Sequence, residues 1–258
     1  MLSKNKIKFI RSLEQKKNRR QGNAFIAEGH KTVGDLLLAG YKPLLIVHTE
    51  EWKTPISIPN NTEILQVSAE GLRKASLLLH PQQVIAVFEL PCTNSYLTSF
   101  AASKDLILCL DGIQDPGNLG TIIRTADWFG IKHIVCSQQT VDAFSPKVVQ
   151  ATMGSIARVS VHYTDLTSFL KSLPEDTPVY GTFLDGKNLY TEQLKPNGVI
   201  VMGNEGNGIS SEIGKLVTHR LLIPPHPADA DTAESLNVSI ATAIICAEFR
   251  RINFVNNS

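Results

Sequence analysis

Residues 105–130 read DLILCLDGIQDPGNLGTIIRTADWFG. Leu106 to Leu110 form an unbroken apolar run of strand length, a turn rich in Gly and Pro follows, and Leu119, Ile122, Ile123 and Ala126 then recur at helical spacing. A strand apolar on both faces needs cover on both faces, which is the situation of a parallel sheet with helices on either side. The rhythm continues downstream. KHIVCS (132–137), VSVHY (159–163), PVYGTFL (178–184), GVIVMGN (198–204) and HRLLIP (219–224) read as strands. KVVQATMGS (147–155), DLTSFLKSL (165–173) and ESLNVSIATAIICAEFRR (234–251) read as helices. The alternation predicts an α/β domain built on a parallel sheet.

Upstream lies a smaller α/β unit. IKFIRSLEQKKNRR (7–20) predicts one helix with Ile7, Phe9, Ile10 and Leu13 on its repeat, followed by a short strand at Ala24 to Ala27 and a helix ending at Gly40. Residues 44–47, 63–68 and 83–90 are strand candidates, with a helix from Ala69 to Leu79 between the last two. The polar stretch PCTNSYLTSFAASK (91–104) interrupts the pattern and reads as the linker. The expected domains are therefore 1–92 and 104–258, joined by 93–103. A length of 258 residues suits two cores, since single domains commonly hold about 100–150 residues.

With 43% hydrophobic and 19% charged residues the chain has the composition of a folded protein, not a disordered one. No apolar run approaches the roughly 20 residues that span a bilayer, and Lys4, Lys6 and Lys8 precede an amphipathic segment and not a signal-peptide core, so cytoplasmic residence is expected. Cys92, Cys109, Cys136 and Cys246 lie far apart and lack the paired spacing of zinc or redox sites. They are expected to be reduced. The seven histidines form no ligand cluster, and no metal is expected. The net charge is only +1, but residues 1–35 carry Lys8, Arg11, Lys16, Lys17, Arg19, Arg20 and Lys31 among few acids, implying a local basic surface.

Three clusters put polar or glycine residues at a strand end or helix start, where ligands of parallel sheets bind. In the first, Arg124 is either a solvated helix residue or a functional cation, and Asn118 either a helix cap or a site residue. The second, VIVMGNEGNGIS (199–210), runs into Gly203, Gly206 and Gly208, which permit close backbone approach. Glu205 among them is a surface charge or a site carboxylate. The third passes from the strand through Pro224 and Pro225 into a helix starting near Ser235, where Ser235 and Asn237 either cap the helix or serve a ligand.

Taken together, GNLGTIIRTADWFG, VIVMGNEGNGIS and IPPHP…ESLNVSIATAIICAEF resemble, in order and in context, the three motifs of the SpoU (TrmH) family of RNA ribose methyltransferases, over about residues 104–252. RRQGNAFIAEGHKTVGDLL resembles the substrate-binding domain that often precedes that catalytic domain, with a fold related to ribosomal RNA-binding proteins. The resemblance implies an α/β trefoil-knot methyltransferase domain that binds S-adenosylmethionine. It implies cofactor contacts from Gly181, Thr182, Met202, Gly203, Asn204, Gly206, Ile223, Pro224, Leu236 and Asn237. The loop PHPADADTAE is longer than the family's usual turn, which puts contacts within it in doubt.

The resemblance gives Arg124 the catalytic role, with Asn118, Glu205, Ser235 and Asn237 orienting Arg124, the ribose and the cofactor. A guanidinium stays protonated and offers no acceptor lone pair, so its role is read as electrostatic, on a developing alkoxide or the adjacent phosphate. RNA is expected to be gripped by the basic N-terminal surface through Lys8, Arg11, Lys16, Lys17, Arg19, Arg20 and Lys31, with ribosomal RNA favoured over transfer RNA. A homodimer through the catalytic domain is expected from the apolar final helix and from the family. Two other functions compete. An RNA-binding protein that has lost catalysis is disfavoured because all five catalytic candidates are present. A dinucleotide oxidoreductase would need the G-x-G-x-x-G fingerprint that the glycine turn lacks.

Overall fold

A computed structural model of the chain describes residues 2–54, 57–91, 105–227 and 233–256. The expected linker lies outside them, as does Cys92. The elements run α1 (Lys4–Ser12), α2 (Lys16–Gly22), β1 (Ala24–Glu28), α3 (His30–Leu38), β2 (Pro43–His48), β3 (Glu63–Gln66), α4 (Ala69–Ala75) and β4 (Val84–Glu89). They continue with β5 (Leu106–Leu110), α5 (Pro116–Trp128), β6 (His133–Cys136), α6 (Pro146–Ala151), a 3-10 turn (Ser155–Ala157), β7 (Ser160–Tyr163) and α7 (Leu166–Lys171). β8 (Val179–Asn188), β9 (Gly198–Met202), α8 (Ser211–Gly214), β10 (His219–Leu222) and α9 (Val238–Asn256) complete the chain.

Two compact units result. The first joins Met1–Thr93 to Asp142–Arg158, and the second takes Asn94–Val141 and Val159–Ser258. This corrects the expected contiguous domain 104–258, because residues 142–158 spend their side chains on the first unit. Phe144 packs on Phe25 of β1 at 4.8 Å, Tyr41 Oη donates to Ile156 O, Arg158 pairs with Asp35, and Asp142 pairs with Arg19. Helical periodicity alone does not reveal which core a helix joins.

In the first unit the sheet order is β1-β4-β2-β3, with β4 antiparallel to β1 and β2, and β3 parallel to β2. One core gathers Ile10 and Leu13 with Ile26, Val47, Leu72, Ile85 and Val87, and each such fully buried side chain contributes about 1.5–3 kcal/mol. The single helix expected over 7–20 is two. Asn18 Nδ2 donates to Ser12 O, and Arg19 Nη1 donates to Leu13 O and Glu14 O, so side chains take carbonyls that a continuous helix would have used itself.

The second unit is the parallel sheet that the alternation predicts, in the order β10-β8-β9-β5-β6-β7. Both faces are covered. Ile107, Cys109, Val135, Val199 and Val201 face Leu166, Phe169 and Ile213, while on the helix side Tyr180 meets Phe249 of α9 edge to face at 4.8 Å. α5 and α9 lie side by side and parallel, tied by Asn237 to Asn118 at their N-terminal ends and by Arg250 Nε to Phe129 O at their C-terminal ends. Cys109, Cys136 and Cys246 are buried free thiols. Burial raises all three above the ordinary thiol value, Cys246 to about 12, so they are unreactive core residues.

Candidate active site

From β5 the chain proceeds to β6 on one side, and from β9 it proceeds to β10 on the other. The carboxyl ends of β5 and β9 thus form the switch point at which open parallel sheets leave a crevice. Two of the three sequence clusters follow these strands. After β5, Asp115 caps α5 by accepting from Asn118 N at 2.8 Å, with Pro116 in the first turn. The cap therefore falls on Asp115 and not on Asn118, which frees the Asn118 side chain. Its Nδ2 donates to Glu205 at 3.0 Å, and its Oδ1 accepts from Asn237 Nδ2 at 3.0 Å.

Glu205 is the hub after β9. Besides Asn118 it accepts from the amides of Gln114 and Asp115, each at 3.2 Å. Burial pushes its carboxyl up, but the Asn118 side chain and the amides of Glu205, Gln114 and Asp115 together hold it below the ordinary value, so it is anionic at neutral pH. Asn204 ties the same two loops, donating to Gly112 O at 2.7 Å and accepting from the amides of Gly206 and Asn207 at 3.0 Å. Gly203 is required by packing: a Cβ there would lie 2.2 Å from the carbonyl carbon of Gly208 and 2.3 Å from Ile209 N.

α9 starts at Val238, later than the helix start expected at Ser235, and Asn237 caps it through Ser239 N at 2.9 Å and Ile240 N at 3.4 Å. Asn237 thus carries both readings, as cap and as partner of Asn118. Ser235 stays apart, exposed in a cavity wall. Arg124 is exposed on α5, and among the described residues it has no hydrogen-bond or ion-pair partner. Among the described residues Asn118, Glu205, Ser235 and Asn237, expected to orient Arg124, the ribose and the cofactor, make no hydrogen bond or ion pair to Arg124. Arg124 lies six residues beyond Asn118, which at about 100° per residue turns it some 120° around the helix.

A cavity of about 670 Å³ opens beside this hub. Thr182, Met202, Gly203, Asn204, Gly206, Ile223 and Leu236 line it as expected, together with Glu205 and Ser235, which had been assigned to catalysis. Gly181, Pro224 and Asn237 do not. Gly181 is packed behind the wall, where a Cβ would meet Phe183 at 2.8 Å and Val217 at 2.9 Å. The sequence reading missed Phe183, Leu184, Asn207 and Glu234. Phe183 and Leu184 face the cavity because the β8–β10 register jumps from Gly181↔Arg220 to Lys187↔Leu221, taking 182–186 out of the ladder. Gly186, within that excursion, was the only local signal. Apolar walls from Phe183, Leu184, Ile223 and Leu236, with the carboxylates Glu205 and Glu234 at hand, fit a molecule that joins a nucleoside, whose base has apolar ring faces, to cationic sulfonium and ammonium groups.

In the first unit Lys16, Lys17 and Arg20 line an open basic depression with Gln21, and Lys8 is exposed on α1. Arg11 donates to Ser76 O at 2.8 Å and Lys31 pairs with Asp35. Arg19 is a correction to the expected RNA surface: it is only 2% exposed, because its guanidinium is consumed by Asp142 and two carbonyls.

A covered parallel sheet with a cavity at its switch point, joined in sequence to a small basic α/β unit, defines a two-domain α/β protein with a built small-molecule site. Residues 105–247 match the SpoU rRNA Methylase family and residues 4–86 the MRM3-like substrate binding domain, and the chain belongs to the SpoU family. It is 31% identical to the 23S rRNA (guanosine(2553)-2'-O)-methyltransferase RlmP of Bacillus subtilis over 95% of this chain and 96% of that protein. Among solved structures it is similar to one from Porphyromonas gingivalis described as an RNA methyltransferase of the TrmH family, with TM-score 0.88, 42% identity, and 98% and 99% of the two chains covered. It is also similar to the AdoMet-bound rRNA methyltransferase of Sinorhizobium meliloti, with TM-score 0.85, 32% identity, and 98% and 96% covered.

Proposed function

We propose that the protein transfers a methyl group from S-adenosylmethionine to a ribose 2′-hydroxyl of structured RNA, ribosomal RNA in the first place. The observation that carries this reading is the convergence of the family's motif segments on one cavity, with Asn118, Glu205 and Asn237 joined in a single hydrogen-bonded chain at its edge. S-adenosylmethionine, when bound, supplies an electrophilic methyl group on a sulfonium. Thr182, Met202, Gly203, Gly206, Ile223 and Leu236 hold it, and the anionic Glu205 keeps the loops after β5 and β9 in register around it. Arg124, a fixed cation, stabilises the alkoxide that forms as the hydroxyl proton passes to a phosphate oxygen, water or another side chain, or grips the neighbouring phosphate. RNA is held through Lys8, Lys16, Lys17 and Arg20 by phosphate neutralisation. A bacterial ribosomal RNA substrate, like that named for the Bacillus subtilis relative, would put the reaction in the cytoplasm. Calorimetry with S-adenosylmethionine against NAD, followed by mapping of 2′-O-methyl sites in RNA treated with the protein, tests the reading. Binding of NAD alone overturns it.

The same reading includes a homodimer. Trp128, the last residue of α5, is 85% exposed and Ile240, in the first turn of α9, is 51% exposed, so exposed apolar side chains lie at both ends of two adjacent parallel helices that a second copy would cover. Pairing brings Arg124 of one chain to the cavity of the other, which accounts for its having no hydrogen-bond or ion-pair partner among the described residues of its own chain. Sedimentation tests the dimer. Mixing inactive Arg124→Ala and Asn237→Ala subunits is expected to recover roughly a quarter of wild-type activity under isologous pairing. A dimer with no recovery confines each site to one chain.

A further inference from the structure

Arg19 belongs by sequence to the basic run of α2, yet it is the one member that cannot reach a phosphate. Its Nε and Nη2 donate to Asp142 Oδ2 at 3.2 and 2.6 Å, and its Nη1 donates to Leu13 O and Glu14 O, both at 2.8 Å. The other oxygen of Asp142 accepts from Phe144 N at 3.0 Å, so one carboxylate holds both α2 and the start of the 142–158 segment within the first unit. α2 is only 7 residues long, and its N-cap Gln15 makes no side-chain capping bond. A helix this short does not hold itself together in water. The buried fork of Arg19 is what anchors it.

The anchor also sets what α2 presents. At about 100° per residue, Lys16, Arg20 and Lys17 fall within an arc of roughly 100° to one side of Arg19. These are the residues that line the open basic depression. We propose that Arg19 and Asp142 are a positioning pair: their buried bridge presets the Lys16, Lys17 and Arg20 face for an RNA backbone, so that an acidic residue, Asp142, is needed for RNA affinity. The pair rests on the reading that this face grips RNA. Its physical basis is preorganisation, since cations already held in place lose less conformational freedom on binding.

The sign of the effect separates this account from simple electrostatics. Removing a carboxylate beside a basic face tightens RNA binding if charge alone matters; if Asp142 positions the face, Asp142→Asn weakens it. The test uses the full chain, an in-vitro transcript of 23S ribosomal RNA, and calorimetry with S-adenosylmethionine as a check on the second unit. Asp142→Asn and Arg19→Lys, which keeps the charge but loses the fork, are each expected to raise the RNA Kd and the KM for RNA about tenfold, about 1.4 kcal/mol. Both should leave kcat and cofactor affinity within about twofold. The double variant R19M/D142L replaces the buried pair with apolar side chains, an exchange that buried ion pairs often tolerate. It is expected to return the RNA Kd to within about threefold of wild type, even if a single variant is too unstable to assay. Tighter or unchanged RNA binding by Asp142→Asn overturns the proposal, and so does a double variant that folds yet stays weak. The variant K16A/K17A/R20A tells the two readings apart. If it binds RNA like wild type, the grip itself is misplaced and the positioning pair falls with it; if it is weak while Asp142→Asn is not, only the pair fails.

Discussion

Glu205 and Asp142 are both carboxylates held by nitrogen donors, but they are held in opposite ways. Glu205 is exposed and collects one side-chain amide and two backbone amides from a loop nearly a hundred residues away in sequence. The side chain of Asp142 is 18% exposed and faces a guanidinium that is 3% exposed. A carboxylate tied to loop amides at a sheet's switch point shapes a surface while leaving it open to a ligand. One spent on a buried guanidinium is committed to architecture, because removing either partner strands a charge away from water. On the proposed function, the chemistry falls in the first setting and the assembly of the basic face in the second.

The sharpest break in that comparison is expected at Arg124, the cation that neither carboxylate holds. Arg124→Ala should lower the methyl-transfer rate by about 10²–10³, the usual loss when one electrostatic stabiliser is removed. Cofactor affinity by calorimetry should stay within about twofold. Activity within about tenfold of wild type, or only about 1.4 kcal/mol of barrier, contradicts the assignment. Gly203→Ala comes next. Its Cβ would press on the backbone of Gly208 and Ile209, and overpacking of this kind costs about 1–3 kcal/mol, so cofactor Kd is expected to rise about 5- to 150-fold with the fold retained.

Glu205 offers a pH test of the exposed side of the comparison. Its folded carboxyl lies below the ordinary value of 4.5, so the stabilisation of the two loops is complete above that pH and is lost as pH falls through the folded value. Cofactor affinity should therefore be flat from neutrality down to about pH 5 and fall below it. Glu205→Gln should weaken binding several-fold at neutral pH and flatten that acid limb; an unchanged limb assigns it to another group. The proposed RNA grip is tested through its salt dependence. Removing Lys16, Lys17 and Arg20 should reduce the slope of log affinity against log salt by about 2–3, the value for three lost phosphate contacts.

Much of the second unit was legible because its information is local. β5 and β9 are buried at every position, so each announces itself as an unbroken apolar run. The glycines and asparagines of the site sit at the turns where the strands end, which is why Asn118, Glu205 and Asn237 were found together. What was missed depends on distance along the chain. Arg19 and Asp142 are 123 residues apart, and nothing in the KKNRRQG run marks one cation as buried. Residues 142–158 carry an ordinary helical pattern that fits either core. The register jump that turns Phe183 and Leu184 toward the cavity is a property of the β8–β10 pairing, invisible in either strand alone.

The most direct measurement is a map of 2′-O-methylated nucleotides in 23S ribosomal RNA incubated with S-adenosylmethionine and either the wild-type protein or Arg124→Ala. The account predicts a discrete methylated ribose with the wild type and none with the variant, although both bind the RNA and the cofactor. Wild-type protein that binds both and methylates no ribose, or a variant that methylates as well as the wild type, would contradict it.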